Sequence, residues 1–153
     1  MKIGIAADHA GFKNKEALKL FLDEKGYTYE DFGAHSMDPD DDYSDLVMPL
    51  ALAISEQKID KGIAICGSGV GVSIAANKFR GVRAALISEH YSAHQGVEHD
   101  DLNLICMGGR AIGTATIEEL TLAFLEANFI DEGRFQRRLD KVKAIEELNF
   151  KKL

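Results

Sequence analysis

Cysteine is scarce: Cys66 and Cys106 are the two in the chain, with no CxxC spacing between them. That leaves no disulfide framework and no thiolate metal or redox motif, and a reducing, cytoplasmic setting is expected. Proline is as rare, at two residues, tryptophan is absent, and no polar tract interrupts a composition that is 46% hydrophobic and 28% charged. Extended disorder is therefore excluded. An excess of positive charge is also missing. With 18 Lys and Arg against 25 Asp and Glu, the net charge of -7 argues against a nucleic-acid backbone as the main partner. It leaves open a small anion held where a few arginines cluster. No membrane-length apolar run occurs, and the opening MKIGIAADHAG reads as a buried strand running into a loop, not a signal peptide or a span.

What is present is an alternation. Short apolar runs at Ile3–Ala7, Thr28–Phe32, Gly62–Cys66, Val82–Ile87 and Leu102–Met107 read as buried strands. Stretches of helical period lie between and after them, at Asn14–Lys25, Leu46–Gln57, Val72–Lys78, Glu89–Glu98 and Thr116–Ala127. This pattern predicts one α/β domain over residues 1–153, a Rossmann-like doubly wound sheet of five mostly parallel strands with helices on both faces. The first helix carries Ala17, Leu18, Phe21 and Leu22 on its core face, with Lys15, Glu16, Lys19, Asp23 and Lys25 as its charged surround and Gly26 as its stop. The acidic run MDPDDD at 37–42 reads as a solvated loop and helix cap, since it lacks the spaced ligands and glycine of a calcium loop. Leu139, Val142, Ile145 and Leu148 recur every three residues along a terminal helix at about 134–149. That stripe is expected to pack on a partner subunit, with packing on its own domain as the alternative.

The densest chemistry lies in ICGSGVGVSIAANKFRG, residues 65–81. A strand ends at Cys66, and a helix opens just past glycines at 67, 69 and 71. Such a turn can converge backbone N–H groups on a negative oxygen. Its GxGxG spacing follows the third strand and so does not fit a dinucleotide fingerprint, and no Gly-Lys-Ser/Thr makes it a P-loop. Cys66 sits in a field that favours a thiolate and is a candidate base, against the alternative of a small buried hydrophobe like Cys106. Ser68 adds a hydroxyl to the turn, as reagent or as turn former.

Other candidates are expected at the same carboxyl edge. Asp8 and His9 leave the first strand, and a reversal of strand order between strands one and three brings them beside Cys66. His99, in EHDDLN before the fifth strand, is placed at that edge too and suits acid–base work. Arg110 follows the fifth strand, and Arg134 and Arg138, four apart, share a helix face suited to a phosphate clamp. Arg137 points elsewhere and reads as a surface ion-pair residue. His90 and His94 read as surface or interface residues, because HYSAH lacks the HExxH form of a zinc site. No metal ligand set and no organic cofactor motif is assigned.

Together DHAGF at 8–12, DYSD at 42–45, CGSGVGVSIAANKFRGVRAA at 66–85, HDDLN at 99–103, GGRAIG at 108–113 and GRFQRR at 133–138 resemble the ribose-5-phosphate isomerase B family, which includes the galactose-6-phosphate isomerase subunits. The resemblance runs from Met1 to about Leu148. It implies a Rossmann-like aldose–ketose isomerase that uses no metal or organic cofactor, with sites shared between the subunits of a homo-oligomer, a dimer or a tetramer. Matched by position, Cys66 is the base moving a proton between C2 and C1, and the turn Gly67–Ser68–Gly69–Val70–Gly71 is the anion hole. Ser68 keeps the hydroxyl of a position usually held by Thr, and His99 assists ring opening. Asp8, His9, Asp100, Arg110, Arg134 and Arg138 hold the sugar or its phosphate. Two departures stand out: Asp100 replaces a usual Asn, and Phe135 a frequent His. Both could retune the pocket from a pentose toward a hexose 6-phosphate such as allose or galactose 6-phosphate. A non-catalytic phosphosugar-binding subunit is the remaining alternative.

Overall fold

The computed structural model describes residues 1–150; residues 151–153, the end of the expected domain, lie outside the described residues. Strand and helix alternate through β1 (Ile3–Ala7), α1 (Phe12–Glu24), β2 (Tyr29–Asp31), α2 (Tyr43–Ser55), β3 (Lys61–Cys66), α3 (Val70–Ala76), β4 (Ala84–Leu86), α4 (His90–Asp100), β5 (Leu104–Gly108) and α5 (Thr114–Glu126), before a terminal α6 (Gly133–Phe150). The five strands form one sheet in the order β2-β1-β3-β5-β4, and every pairing is parallel. The expected doubly wound α/β fold is therefore present. β1, β3 and β5 are buried at nearly every position because both of their faces are covered, which is why their sequences are continuous apolar runs. β2 and β4 are shorter than their apolar runs, three residues each, as suits strands at the sheet's edges.

The two faces divide the core by alternation along each strand. Ile3, Ile5, Ile63, Ile65, Ile105 and Met107 point to the face covered by α1, α4 and α5, where Leu18, Leu22, Val97, Ile117, Leu120 and Phe124 meet them. Ala6, Ala64, Cys66, Leu104 and Cys106 point the other way, under Val47, Leu50 and Ile54 of α2 and Val72 and Ala76 of α3. Full burial of a Leu or Phe of this kind contributes about 1.5–3 kcal/mol. The small residues on the second face let α2 and α3 lie close, and they direct Cys66 toward α3. Lys61, at the start of β3, extends its ammonium to the carbonyls of Phe124, Leu125 and Ala127 at 2.7–3.2 Å and so caps α5.

One surface assignment on α1 is corrected. Lys15 is fully buried, and its ammonium meets both carboxylate oxygens of Asp31 at 2.8 and 2.6 Å. It follows the core spacing Leu18 and Leu22, so it points inward, and the charged end of β2 makes that position tolerable.

On α6, Phe135 and Leu139 are buried, whereas Val142, Ile145 and Leu148 are 51%, 62% and 65% exposed. The apolar stripe thus runs off the end of its own fold. Among the described residues, no helix is long and apolar enough to cross a membrane.

Candidate active site

The chain runs from β1 out to β2, returns past β1 to lay down β3, and later inserts β5 between β3 and β4. The carboxyl ends of β1, β3 and β5 therefore stand side by side, with Ala7 opposite Ile65 and Cys66 opposite Gly108. Each delivers its next residues to one open cavity of about 560 Å3: Asp8 and His9 from β1, Cys66 and Ser68 from β3, Arg110 from β5. This is the crevice expected where strand order reverses.

Cys66 is the last residue of β3 and is 4% exposed. The backbone N–H of Gly69 donates to its Sγ at 3.1 Å. Gly69 can do this because it adopts φ +81°, and a Cβ there would lie 2.5 Å from Leu86 Cδ1 and 2.9 Å from the Met107 carbonyl carbon. No other residue fits that turn without displacement. The turn thus holds the sulfur by an amide donor just ahead of α3. The turn spends part of its donor set internally, for Val70 N–H donates to Ser68 Oγ at 3.3 Å. Gly67, Ser68 and Gly71 line the cavity. Cys106 lies on the same face of β5, where burial pushes its thiol pKa up, with the Cys66 charge adding to the rise. Of the two thiols, only Cys66 reaches the cavity.

Asp8 is 5% exposed and its Oδ1 accepts from the N–H groups of Ala10 at 2.9 Å and Gly11 at 3.0 Å, which forms the turn into α1. His9 beside it is bonded through Nδ1 to Asp41 Oδ1 at 2.7 Å. Asp41 corrects the reading of 37–42 as a solvated loop: its side chain is 9% exposed and lies against His9, while Asp42 takes the N-cap position of α2. Asp8, His9 and Asp41 bring ligand atoms within 4.8 Å of one another, but the hydrogen bond between His9 and Asp41 occupies one such atom of each.

Two residues escaped the sequence reading as site residues. Tyr43 opens α2 and lines the cavity, with its ring 2.8 Å from where a Gly71 Cβ would stand. That approach explains the glycine at 71 as well as φ explains the one at 69. The DYSD motif was the signal for Tyr43; for Asp41 there was none within an acidic run.

His99 is not at this edge, contrary to the placement expected from sequence. α4 runs antiparallel to the strands and ends at Asp100, just ahead of the first residue of β5, whereas Cys66 pairs with the last, Gly108. A residue preceding a strand sits at the amino edge, and His99 does. Its ring stacks on Phe135 at 4.1 Å between centroids, and its Nδ1 shares a 2.6 Å hydrogen bond with Gln95. Arg134 lies 4.6 Å from the same Phe135 ring. Arg134 and Arg138 are exposed on the first turns of α6, which the bond from Ile130 N–H to Glu98 O fixes against the end of α4. Asp100 lines a groove of about 390 Å3 with Arg83 and Lys143. The sequence-derived site thus divides in one chain into two groups at opposite edges of the sheet. A larger cavity of about 660 Å3, between α2 and α6, holds no thiol and no glycine turn, and its Arg83 is paired with Asp101 at 2.5 Å.

A family model described as Ribose/Galactose Isomerase matches residues 3–142. The chain belongs to this family. It is 40% identical to ribose-5-phosphate isomerase B of Escherichia coli over 95% of this chain and 97% of that one. It is 32% identical to D-erythrulose-4-phosphate isomerase 2 of Mycolicibacterium smegmatis over 95% and 97%. The solved structure of Clostridium thermocellum ribose-5-phosphate isomerase B superposes with a TM-score of 0.92 at 39% identity, covering 97% and 99% of the two chains. Membership fixes the reaction class: the protein is an isomerase, and the resemblance read from its motifs holds along nearly the whole chain. The cavity at the carboxyl ends of β1, β3 and β5 is where the fold brings Asp8, His9, Cys66, Ser68 and Arg110 together.

Proposed function

We propose that the protein interconverts ribose 5-phosphate and ribulose 5-phosphate through an enediolate, with Cys66 as the base and no metal or organic cofactor. The observation that carries this reading is Cys66 lining the cavity, its sulfur accepting from Gly69 N–H at 3.1 Å. In the open-chain aldose the thiolate takes the C2 proton, and the C1 carbonyl oxygen gains the negative charge. Donors of the 67–71 turn, aimed at that oxygen, are worth about 2.7–4 kcal/mol each in comparable cradles. The thiol then returns its proton to C1 while a hydroxyl proton passes from O2 to O1, and Ser68 is the hydroxyl placed to relay it. Arg110 and His9 face the same cavity and suit a phosphate or sugar hydroxyl.

The remaining groups enter from a second copy of the chain. His99, Arg134 and Arg138 cannot reach Cys66 within one protomer, and the exposed Val142, Ile145 and Leu148 on α6 offer a surface for association. A homodimer, or a tetramer built from it, would set the amino-edge cluster of one copy against the carboxyl-edge cavity of the other. His99 would assist ring opening, and the two arginines would clamp the phosphate. Residues 1–153 act as one domain, in a reducing compartment such as the cytoplasm where both thiols stay free.

The test is incubation with ribose 5-phosphate in deuterated water beside Cys66→Ala, with product and C2 deuterium followed by NMR. Conversion lost in the variant, with its oligomer intact, supports the reading; comparable turnover in the variant would sink the base assignment. A second reading keeps the chemistry and changes the sugar. A D-erythrulose-4-phosphate isomerase is among the relatives, and Asp100 and Phe135 motivate a hexose 6-phosphate. Ratios of kcat/KM across these phosphosugars decide it, because tenfold discrimination requires only about 1.4 kcal/mol.

A further inference from the structure

Within the acidic run 38–42, the side chain that turns inward is Asp41. Its Oδ1 accepts from the backbone N–H of His9 at 2.9 Å and bonds the Nδ1 of the same residue at 2.7 Å. One oxygen therefore fixes both the backbone and the ring of His9. Its Oδ2 is buried with no hydrogen-bond partner among the described residues. A carboxylate so enclosed has lost most of its hydration and needs a positive charge beside it. The ion pair that Asp41 makes is with His9, 29% exposed and facing the cavity.

We propose that Asp41 is a positioning residue that holds His9 as an imidazolium, so that the cavity wall presents a fixed cation to an anionic group of the substrate. The arrangement differs from that of a catalytic base oriented by a carboxylate, which must be neutral to accept a proton. The charge balance around His9 agrees. The Asp41 hydrogen bond raises the imidazole pKa above its ordinary value and burial lowers it, while the charges of Asp8 and Asp41 add to the rise. The titratable groups facing His9 are Asp8 on its own loop, Asp41 ahead of α2, Tyr43 on α2, Cys66 at the end of β3 and Arg110 beyond β5. Of these Arg110 opposes a second cation, and the carboxylates of Asp8 and Asp41 favour it.

The inference rests on the isomerase reading only for its kinetic arm. The test compares the full-length protein with Asp41→Asn, which keeps an oxygen able to accept from both His9 groups and removes the charge. Histidine ring resonances followed by NMR from pH 5 to 9, with His9→Gln used to assign His9, are expected to show its midpoint at lower pH in the variant. Inorganic phosphate, titrated into both proteins at pH 6 and pH 8, is expected to bind the variant more weakly at pH 8 and equally at pH 6. KM for ribose 5-phosphate follows the same pattern, with kcat little changed. The difference grows by up to roughly tenfold for each pH unit between the variant's midpoint and that of the wild type, and levels off above the latter. An unchanged His9 midpoint, or a loss of phosphate binding that is the same at both pH values, overturns the proposal. Absence of turnover on every phosphosugar would instead overturn the isomerase reading, since the ring titration and the phosphate isotherm need no chemistry.

Discussion

If Cys66 of one copy works with His99, Arg134 and Arg138 of another, two inactive proteins can repair each other. The structure supplies the reason and the size of the effect. Cys66 pairs with the last residue of β5, whereas His99 lies just ahead of its first, Leu104. At about 3.3 Å per residue the two edges are roughly 13 Å apart, far beyond the ~3 Å over which a side chain exchanges a proton with a shared substrate. One variant carries Cys66→Ala, the other His99→Asn with Arg134→Ala and Arg138→Ala. Random pairing makes about half of the dimers mixed, and in each mixed dimer one of two sites joins a native Cys66 to a native amino-edge cluster. The mixture should therefore recover about one quarter of the wild-type rate. The assay is co-refolding of differently tagged chains and measurement of ribulose 5-phosphate formation in the mixture, and then in the isolated mixed dimer, where about half of the wild-type rate is expected. A rate no higher than the mean of the two parents would show that sites are not shared, and would refute the placement of the second group in the chemistry.

Lys15→Met should destabilise the protein by about 3–5 kcal/mol in urea unfolding, because it leaves the Asp31 carboxylate short of its buried partner, and Lys15→Met with Asp31→Leu should recover part of the loss. A change under about 1 kcal/mol would contradict the burial of Lys15. The same pair has a pH signature: burial pushes the Asp31 carboxyl up, but Lys15, the Gly33 N–H and Lys19 together hold it below its ordinary value. Its contribution is therefore present above the unfolded carboxylate value and lost as pH falls through the folded one, so the acid limb of stability should flatten in Lys15→Met. Gly69→Ala meets Leu86 and the Met107 backbone at a positive φ and should cost about 2 kcal/mol or more with loss of turnover; normal thermal unfolding and activity in this variant would count against the turn geometry.

The fold was readable because period and burial agree. Continuous apolar runs mark strands covered on both faces, and the glycine turn after Cys66 marks a backbone conformation that a side chain would obstruct. Boundaries slipped where local signals are weak, as at β2, where Thr28 and Phe32 have strand character but only Tyr29–Asp31 pair with β1. The site was half legible. Residues directly after β1, β3 and β5 were placed correctly because parallel topology forces those ends together. His99 was misplaced because its neighbourhood to β5 in sequence hid the direction of travel: α4 brings the chain back to the amino edge before the strand starts. Lys15 and Asp41 share a further cause. A charged residue in a charged segment carries no periodic signal that it turns inward, and only its partner, Asp31 or His9, decides that it does.

The acidity of the chain and its taste for an anion are reconciled by where the cations stand. A net charge of -7 repels a phosphate at long range, yet screening confines that repulsion to about 8–10 Å at physiological salt, so local groups decide at contact. At the carboxyl edge Arg110 and His9 face the cavity, and at the amino edge Arg134 and Arg138 stand free of carboxylate partners among the ion pairs of the described residues. Neither edge alone surrounds a phosphosugar: one has Cys66 and the glycine turn without the arginine pair, the other has the pair without a thiol. Joining two copies would bring cations to both ends of the substrate while leaving the outer surface acidic. On this reading the protein's affinity should rise steeply with its own concentration through the dimerisation range, since a lone protomer holds only half of what the reaction needs.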